Sequence, residues 1–241
     1  MVKDLSRFSS FLLSEGFSPT FRKADNDKQV TSDWVSHTKE HEVKPSNEQG
    51  RAIHNYTTSN KRISSQDKQH IDNYLNSNRT KKDMVVFRGL AQSPHHEFEK
   101  QGNPGSITHK SSEHTSATSS YHVARQFARN DSEYDQKHLP KKMQGENQPT
   151  TLHFMRIHVK QGTAAARIDQ HSEFNSSDKK GESQAKITGR GGGEHEVLFH
   201  RNTKFTIHDK PTTHTKIHGH GAFGRTVRHV VWDATAEDDN G

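Results

Sequence analysis

The stretch EHEVLF, Glu194–Phe199, places two acidic residues directly before a continuous apolar run. Alternation of side chains along a strand would put Glu194 and Glu196 on one face, side by side. Neighbouring carboxylates raise one another's pKa, and such a pair suits a site that stabilises a cation and accepts a proton. By itself, Glu-x-Glu is more often the solvated face of an edge strand, so the functional reading depends on other parts of the chain.

The segments on either side of this strand predict its surroundings. Residues 170–193 carry almost no apolar side chains and end in GRGGG at 189–193, which predicts a mobile loop. After the strand, HRNT at 200–203 separates it from a second apolar run, Lys204–Ile207. This spacing predicts a β-hairpin.

The remaining elements follow one another without a regular βαβ rhythm. Strands are predicted at Met84–Phe87, within Ser106–Thr118, at Thr151–Val159 and at Thr226–Trp232. Helices are predicted at Asp4–Gly16, at Ser65–Asn76 with Ser65 or Asp67 as the cap, and at about 119–128 with Val123, Ala124 and Phe127 facing inward. Residues 21–50 predict loops with at most one short helix. This order favours an α+β domain with antiparallel strand pairs.

Composition excludes several classes of function. The chain has 241 residues, a net charge of +6 and no cysteine, so disulfides and thiolate zinc sites are excluded and a reducing cytoplasm is expected. Its charges alternate in sign, which permits nucleic-acid binding without indicating it. The 20 histidines are scattered and form no His-Glu-x-x-His motif, so no metal site is expected. No signal peptide or membrane span is predicted either.

Two further polar sites accompany the paired carboxylates. Arg88, at the end of a predicted buried strand, is a planar donor suited to phosphate, and Gly89 after it would let a ligand approach the backbone. Ser116 and Thr118 share one face of a strand, where their hydroxyls could hold a carboxylate in one rotamer. Each motif alone is commonplace. Together they suit cleavage of NAD, in which a diphosphate is held while positive charge develops on a ribose.

The chain resembles the arginine-specific mono-ADP-ribosyltransferases, whose signature is Arg, then Ser-Thr-Ser, then Glu-x-Glu, as in phage-encoded Mod and Alt enzymes and clostridial binary toxins. The resemblance covers about residues 52–207. The elements that carry it are the helical lead-in Ala52–Thr57 and Ile71–Leu75, the strand end Phe87–Leu90, the Ser116–Thr118 strand with Phe127-Ala128 after it, and Glu194–Phe199 with Thr203–Phe205. The middle and last positions of the Ser-Thr-Ser motif are Ala117 and Thr118 here, so that motif is degenerate.

The resemblance implies a fold, a substrate and a set of residue roles. The fold would be two packed, mostly antiparallel sheets with flanking helices and an NAD cleft, and no metal would be needed. Arg88 would contact the NAD phosphates, and the Gly89 backbone would bind the nicotinamide amide. Ser116, with Thr118 beside it, would position Glu196, which would stabilise the oxocarbenium-like transition state. Glu194 would orient or deprotonate the acceptor arginine, whereas a Gln at that position would point to asparagine. Phe174 is a candidate to stack on nicotinamide, or a solvent-exposed loop aromatic.

The expected organisation is a polar N-terminal segment at 1–50, a catalytic domain at 51–233 and an acidic tail at 234–241. The favoured function is transfer of ADP-ribose from NAD to an arginine side chain of a target protein in a bacterial host cytoplasm. The expected target is a component of the host transcription or translation machinery. A secreted or injected effector toxin is the alternative within the same family. A catalytically inactive binding module and a basic nucleic-acid-binding protein are the alternatives from other classes.

Overall fold

A computed structural model describes residues 24–58, 63–90, 106–110, 113–125, 127–128, 150–172, 195–218 and 225–238. The helices are α1 (Ala24–His41), α2 (Asn47–Thr58) and α3 (Ser65–Ser77), and residues 121–125 and 127–128 are also helical. The strands are β1 (Met84–Leu90), β2 (Ser106–Lys110), β3 (Thr115–Thr118), β4 (Thr150–Val159), β5 (Ala165–Arg167), β6 (Glu196–Phe199), β7 (Lys204–His218) and β8 (Arg225–Glu237).

The eight strands form one mixed sheet in the order β2-β7-β8-β4-β1-β3-β6-β5. Only the β4–β8 pair is parallel within this sheet, which confirms the expected α+β class with mostly antiparallel pairing. Two packed sheets were expected, but the ladder is continuous. Its weakest link is between β1 and β3, which share a single registered pair, Phe87 with Thr118. We call β2-β7-β8-β4-β1 the wide part and β3-β6-β5 the narrow part.

The buried apolar residues form two clusters that the strands of the narrow part separate. In β6, Val197 and Phe199 belong to the larger cluster, which continues beneath the wide part and includes Trp34 of α1. Leu198, which points the opposite way, belongs to a smaller cluster with residues of α2 and α3 such as Ile53 and Ile71. The apolar run in EHEVLF is therefore buried on both faces, as a central strand requires.

A long helix occupies much of the N-terminal region for which loops were predicted. The 18-residue helix α1 has few apolar anchors, and Val30 and Trp34 are the ones that become buried. Trp34 is 1% exposed, and its indole Nε1 donates a hydrogen bond to the carbonyl of Val85 at 2.8 Å. An amphipathic pattern this sparse was too weak to predict a helix from sequence.

Helix α3 confirms the predicted helix but not its cap. The Ser64 hydroxyl, rather than that of Ser65 or the carboxylate of Asp67, accepts a hydrogen bond from the Asp67 amide at 3.0 Å. Ser64 has extended backbone angles, as an N-cap residue should. The choice among three neighbouring polar residues depends on backbone geometry that the sequence leaves open.

The hairpin predicted between residues 199 and 204 is wrong. Strand β6 pairs with β3 and β5, whereas β7 pairs with β2 and β8, so the two strands lie in different parts of the sheet. Residues 200–203 form a turn in which the Thr203 amide donates to the His200 carbonyl at 3.1 Å. The rings of Phe199 and Phe205, one on each side of this turn, lie 5.3 Å apart in the larger core cluster. Burial of both strands thus outweighed local pairing.

The last strand extends beyond its predicted end at Trp232. Strand β8 continues to Glu237, and Ala234 and Ala236 are fully buried. The Asp238 carboxylate then accepts hydrogen bonds from the Ala164 amide and from Arg79, so the beginning of the acidic tail is fixed to the domain. The helix predicted at Asp4–Gly16 lies outside the described residues, as does the predicted mobile loop from residue 173 onwards.

Candidate active site

A pocket of about 280 Å³ lies where the wide and narrow parts of the sheet meet. Both parts contribute to its wall, together with helix α2 and the helical segment that follows β3. The lining residues are Tyr56, Phe87, Arg88, Gly89, His114, Ser116, Ala117, Thr118, Phe127 and Glu196. Three motifs singled out in the sequence therefore converge on one cavity.

A short hydrogen bond joins the serine and the glutamate of this pocket. In the β3–β6 ladder Glu196 lies opposite Thr118, and Ser116 is its diagonal neighbour on the same face. The Ser116 hydroxyl donates to Glu196 Oε1 at 2.6 Å, and Glu196 is only 8% exposed. A charge-assisted bond of this length holds the carboxylate in one rotamer at the pocket wall.

Tyr56 of helix α2 extends this hydrogen-bonded chain. Its hydroxyl lies 3.0 Å from the Ser116 hydroxyl oxygen, and because the Ser116 proton is directed to Glu196, the tyrosine is the donor. Burial raises the pKa of Tyr56 above its ordinary value, the Ser116 bond lowers it, and the nearby Glu196 raises it further. Tyr56 therefore keeps its proton over the physiological range. Tyr56 was not among the predicted site residues, and its only sequence signal was its place beside Thr57 in the helical lead-in.

Arg88 reaches the same serine from the other part of the sheet. Its Nη1 donates to the Ser116 carbonyl at 2.6 Å, although Arg88 lies on β1 and Ser116 on β3. This bond crosses the junction where the ladder contributes one registered pair. The guanidinium carries five N–H donors, so it can hold the junction and also present donors to an anion in the pocket.

The absence of a side chain at Gly89 allows the helical segment after β3 to pack closely against β1. A Cβ there would lie 2.3 Å from the Ala124 carbonyl oxygen and 2.6 Å from the Ala128 amide nitrogen. Both atoms belong to the backbone of the helical segment after β3, so no larger residue fits. Gly89 also lines the pocket, and close approach of a ligand to its backbone stays a prediction.

One predicted orientation in the region after β3 differs from the structure. Phe127 was expected to face inward, but it is 45% exposed and lines the pocket. Ala124 and Ala128 are the residues of that segment that pack on Gly89. The Thr118 hydroxyl accepts a hydrogen bond from the Ser120 amide at 3.0 Å and so shapes the turn into the helix, while its role in holding the carboxylate stays a prediction.

The turn directly before Glu196 has a left-handed residue. Strand β6 begins at Glu196, and His195 has a φ of 50°, in the left-handed region. The His195 carbonyl accepts a hydrogen bond from the Ser119 amide at 3.0 Å, which anchors this turn to the end of β3. Glu194 and Phe174 lie outside the described residues.

The described part of the chain contains no group of three or more histidine, aspartate or glutamate side chains placed to hold a metal ion. In the same ranges, no helix is both long and apolar enough to cross a membrane.

Comparison with solved structures identifies the fold. The chain is similar to Plx2a, an ADP-ribosyltransferase toxin from Paenibacillus larvae, with 13% identity and a TM-score of 0.51 over 88% of this chain and 96% of that one. C3stau2 from S. aureus, solved with NAD, has 13% identity and a TM-score of 0.50 over 91% of this chain and 98% of its own. No protein-family model and no curated protein sequence matches the chain.

A third similar structure is the enzymatic component C2-I of the C2 toxin from Clostridium botulinum, with 16% identity and a TM-score of 0.50. The alignment covers 88% of this chain and 47% of C2-I, so the chain spans about half of that protein. The chain thus has the ADP-ribosyltransferase fold, as the resemblance implied. At these identities the likeness establishes the fold, and the chemistry has to be argued from the pocket.

Proposed function

We propose that this protein is an NAD-dependent mono-ADP-ribosyltransferase that modifies arginine side chains of a target protein and releases nicotinamide. The observation that carries the proposal is the bond between Ser116 and Glu196 in a pocket that also contains Arg88. A buried carboxylate held in one rotamer beside a guanidinium matches a substrate with a diphosphate and a cationic transition state. Of the solved structures with the same fold, Plx2a is named an ADP-ribosyltransferase toxin, and C3stau2 was solved with NAD.

In the proposed reaction the bond between the nicotinamide nitrogen and the ribose anomeric carbon breaks first. Nicotinamide leaves with the bonding electrons, and the ribose becomes an oxocarbenium-like cation. Glu196 stabilises this cation through its charge and a hydrogen bond to a ribose hydroxyl, while Arg88 holds the diphosphate. The half-exposed ring of Phe127 in the pocket wall is placed to stack on the departing nicotinamide, and we assign that contact to Phe127 rather than Phe174.

The second half of the reaction forms a bond between the ribose carbon and a nitrogen of the acceptor guanidinium. Arginine stays protonated in water, so a base is needed to take a proton as the new bond forms. We assign this step to Glu194, which directly precedes His195 and the catalytic strand. Arginine specificity therefore depends on one residue, whereas use of NAD depends on several.

The first test measures transfer and NAD cleavage together. The protein is incubated with adenylate-labelled NAD and either a bacterial or a eukaryotic cell extract, and protein-bound label and free nicotinamide are quantified. Labelling of a protein in the bacterial extract supports a target in a bacterial host cytoplasm, such as a component of its transcription or translation machinery. Labelling only in the eukaryotic extract supports an effector toxin acting on such cells. Release of no nicotinamide in either extract would leave an inactive binding module.

The matched variant is Glu196→Gln, which keeps an oxygen able to accept the Ser116 hydrogen bond but removes the charge. We expect both transfer and NAD hydrolysis to fall by about 10² to 10⁴. Thermal unfolding should be nearly unchanged, because the size and the Ser116 bond are retained. Wild-type rates in a folded Glu196→Gln protein would contradict the assignment.

The acceptor assignment has its own variant, Glu194→Gln. We expect transfer to a small guanidine such as agmatine to fall at least about tenfold, and nicotinamide release into water to fall much less, because general-base catalysis serves only the acceptor. Equal losses in both reactions would show that Glu194 acts in NAD cleavage instead. Transfer by the wild type to an asparagine peptide but not to agmatine would overturn arginine specificity.

A further inference from the structure

A buried polar cluster lies behind the pocket, centred on a carboxylate that the proposed reaction does not use. Asp72 of helix α3 is 4% exposed, and its Oδ1 lies 2.9 Å from His114 Nε2. Arg201, from the turn between β6 and β7, forms an ion pair with the same carboxylate, and His200 Nε2 lies 3.4 Å from Oδ1. Lys68 and Glu113 pair with each other at 2.6 Å beside this cluster.

His114 connects this cluster to the pocket. Its side chain is fully buried, and the residue forms part of the pocket wall. The imidazole meets the ring of Tyr56 edge-on, with ring centroids 5.9 Å apart and planes inclined by 78°. Tyr56 in turn bonds Ser116, which bonds Glu196. An unbroken series of contacts therefore runs from Asp72 to Glu196.

We propose that Asp72 and His114 are positioning residues: Asp72 fixes the His114 ring, the ring fixes Tyr56, and Tyr56 fixes the Ser116–Glu196 pair for the transition state. This inference rests on the proposed function for its kinetic consequence, but its geometric part can be tested without turnover. It assigns to these two residues a role in the rate of reaction that acts through Tyr56 and Ser116.

The physical argument concerns how a buried ring is held in one orientation. An ionised carboxylate only accepts hydrogen bonds, so the bond to Asp72 requires a proton on Nε2 of the His114 imidazole. This bond selects the tautomer and fixes the rotation of the ring, as carboxylates do for histidines in other sites. Edge-on packing against this ring then supports the Tyr56 orientation that points its hydroxyl at Ser116.

A second carboxylate provides a control of similar construction. Glu42, just after α1, accepts a hydrogen bond from the Tyr74 hydroxyl at 2.8 Å, and His171 Nε2 lies 3.4 Å from the same oxygen. Tyr74 belongs to helix α3, as Asp72 does, but neither Glu42 nor Tyr74 lines the pocket. Loss of Glu42 should therefore disturb packing on α3 without disturbing Glu196.

The kinetic arm compares Asp72→Ala, Asp72→Asn and Glu42→Ala in the full-length protein. For nicotinamide release, we expect kcat of Asp72→Ala to fall about 10-fold to 10²-fold with little change in KM for NAD, because misplacement of Glu196 acts on the transition state. Asp72→Asn should recover part of this loss, since its carbonyl can still accept from Nε2. Glu42→Ala, which leaves the Asp72 cluster intact, should keep kcat within about twofold of the wild type, a change of about 0.4 kcal/mol or less in activation free energy.

The geometric arm uses NMR of protein labelled at the tyrosine ζ carbon, with Tyr56→Phe and Tyr74→Phe to assign the signals. Asp72→Ala should move or broaden the Tyr56 signal, whereas Glu42→Ala should move the Tyr74 signal. An unmoved Tyr56 signal, or a kcat loss equal in Asp72→Ala and Glu42→Ala, would overturn the proposal. If the wild type releases no nicotinamide, the proposed function fails, and the NMR signals alone decide whether Asp72 positions Tyr56.

Discussion

The wide part of the sheet is held together by longer strand pairings than the narrow part. In the wide part, β4 pairs with β8 over ten registered residues and with β1 over seven. The narrow part has short strands, with four registered pairs between β3 and β6 and three between β5 and β6. Between the two parts, one registered pair joins Phe87 to Thr118. The pocket lies at this least redundant place.

This difference shows what sets the geometry of the site. Arg88 lies on the wide part, and Ser116 and Glu196 lie on the narrow part. Their relative placement depends less on the ladder than on two other contacts: the Gly89 backbone against Ala124 and the Arg88–Ser116 bond. We therefore expect changes at the junction to reduce activity more than comparable changes within the wide part.

Gly89→Ala should have the largest effect at the junction. The new methyl would meet backbone atoms of Ala124 and Ala128, which cannot rotate away, so the helical segment has to move. Overpacking of this kind costs about 1 to 3 kcal/mol, and displacement of the pocket wall by about 1 Å can reduce kcat about 10²-fold. Urea unfolding and nicotinamide release measure the two effects.

The matched control is Gly50→Ala in helix α2. No atom lies within 4 Å of the position of its Cβ, and alanine favours helices over glycine, so stability should stay the same or rise by up to about 1 kcal/mol. Activity should be unchanged. A Gly89→Ala protein as stable and active as Gly50→Ala would show that the junction tolerates repacking.

Arg88→Lys should have the next largest effect. Lysine retains the charge but loses the planar fork that reaches the Ser116 carbonyl across the junction. A hydrogen bond from a charged group contributes about 1.5 to 3 kcal/mol, so we expect kcat/KM for NAD to fall at least about tenfold. The control is Arg156→Lys in the wide part, where Arg156 pairs with Asp233 and activity should be unaffected. Equal losses in the two variants would show that total charge, and not the junction, matters.

The contrast between the two parts also explains which features the sequence could predict. A run such as Met84–Phe87 is apolar on both faces, so it predicts a buried strand whatever its neighbours. The predicted pairing of β6 with β7 was wrong. The turn at 200–203 is short enough for a hairpin, but the choice of strand partners depends on the packing of Phe199 and Phe205. Local signals predicted the strands, and tertiary packing decided their order.

The candidate site divides in the same way. Arg88, Ser116 and Glu196 were predicted because each belongs to a short polar motif on or beside a predicted strand. Tyr56 is separated from Ser116 by 60 residues in sequence, and His114 from Asp72 by 42, and neither pair leaves a local pattern. Such polar contacts between distant residues become visible only when the helices have been placed on the sheet.

Acid should lower the free energy of unfolding by unequal amounts through Asp72 of helix α3 and Asp233 of the wide part. This is the smallest effect we predict. Burial by itself would raise the pKa of Asp72, but hydrogen bonds from His114 and Arg201 outweigh it and lower the pKa to about 2. For Asp233 of the wide part, burial is likewise outweighed by bonds from His158 and Arg156, and the pKa is again about 2. Both folded-state values lie below the ordinary value, so each carboxylate stabilises the fold above about pH 4 and loses that contribution as the pH falls towards 2.

The size of the loss should distinguish the two carboxylates. The Asp72 side chain is 6% exposed, so its contribution to the free energy of unfolding is on the order of 2 kcal/mol. About half of this contribution should be lost by pH 3. Asp233 is 31% exposed, and solvent screening makes its contribution smaller. Urea unfolding of Asp72→Asn and Asp233→Asn at pH 7 and pH 3 measures both. The stability gap from the wild type should narrow with acid in each variant, and more for Asp72→Asn. A larger narrowing for Asp233→Asn would mean that the wide part, despite its longer ladders, depends more on its charges than the helix that supports the pocket.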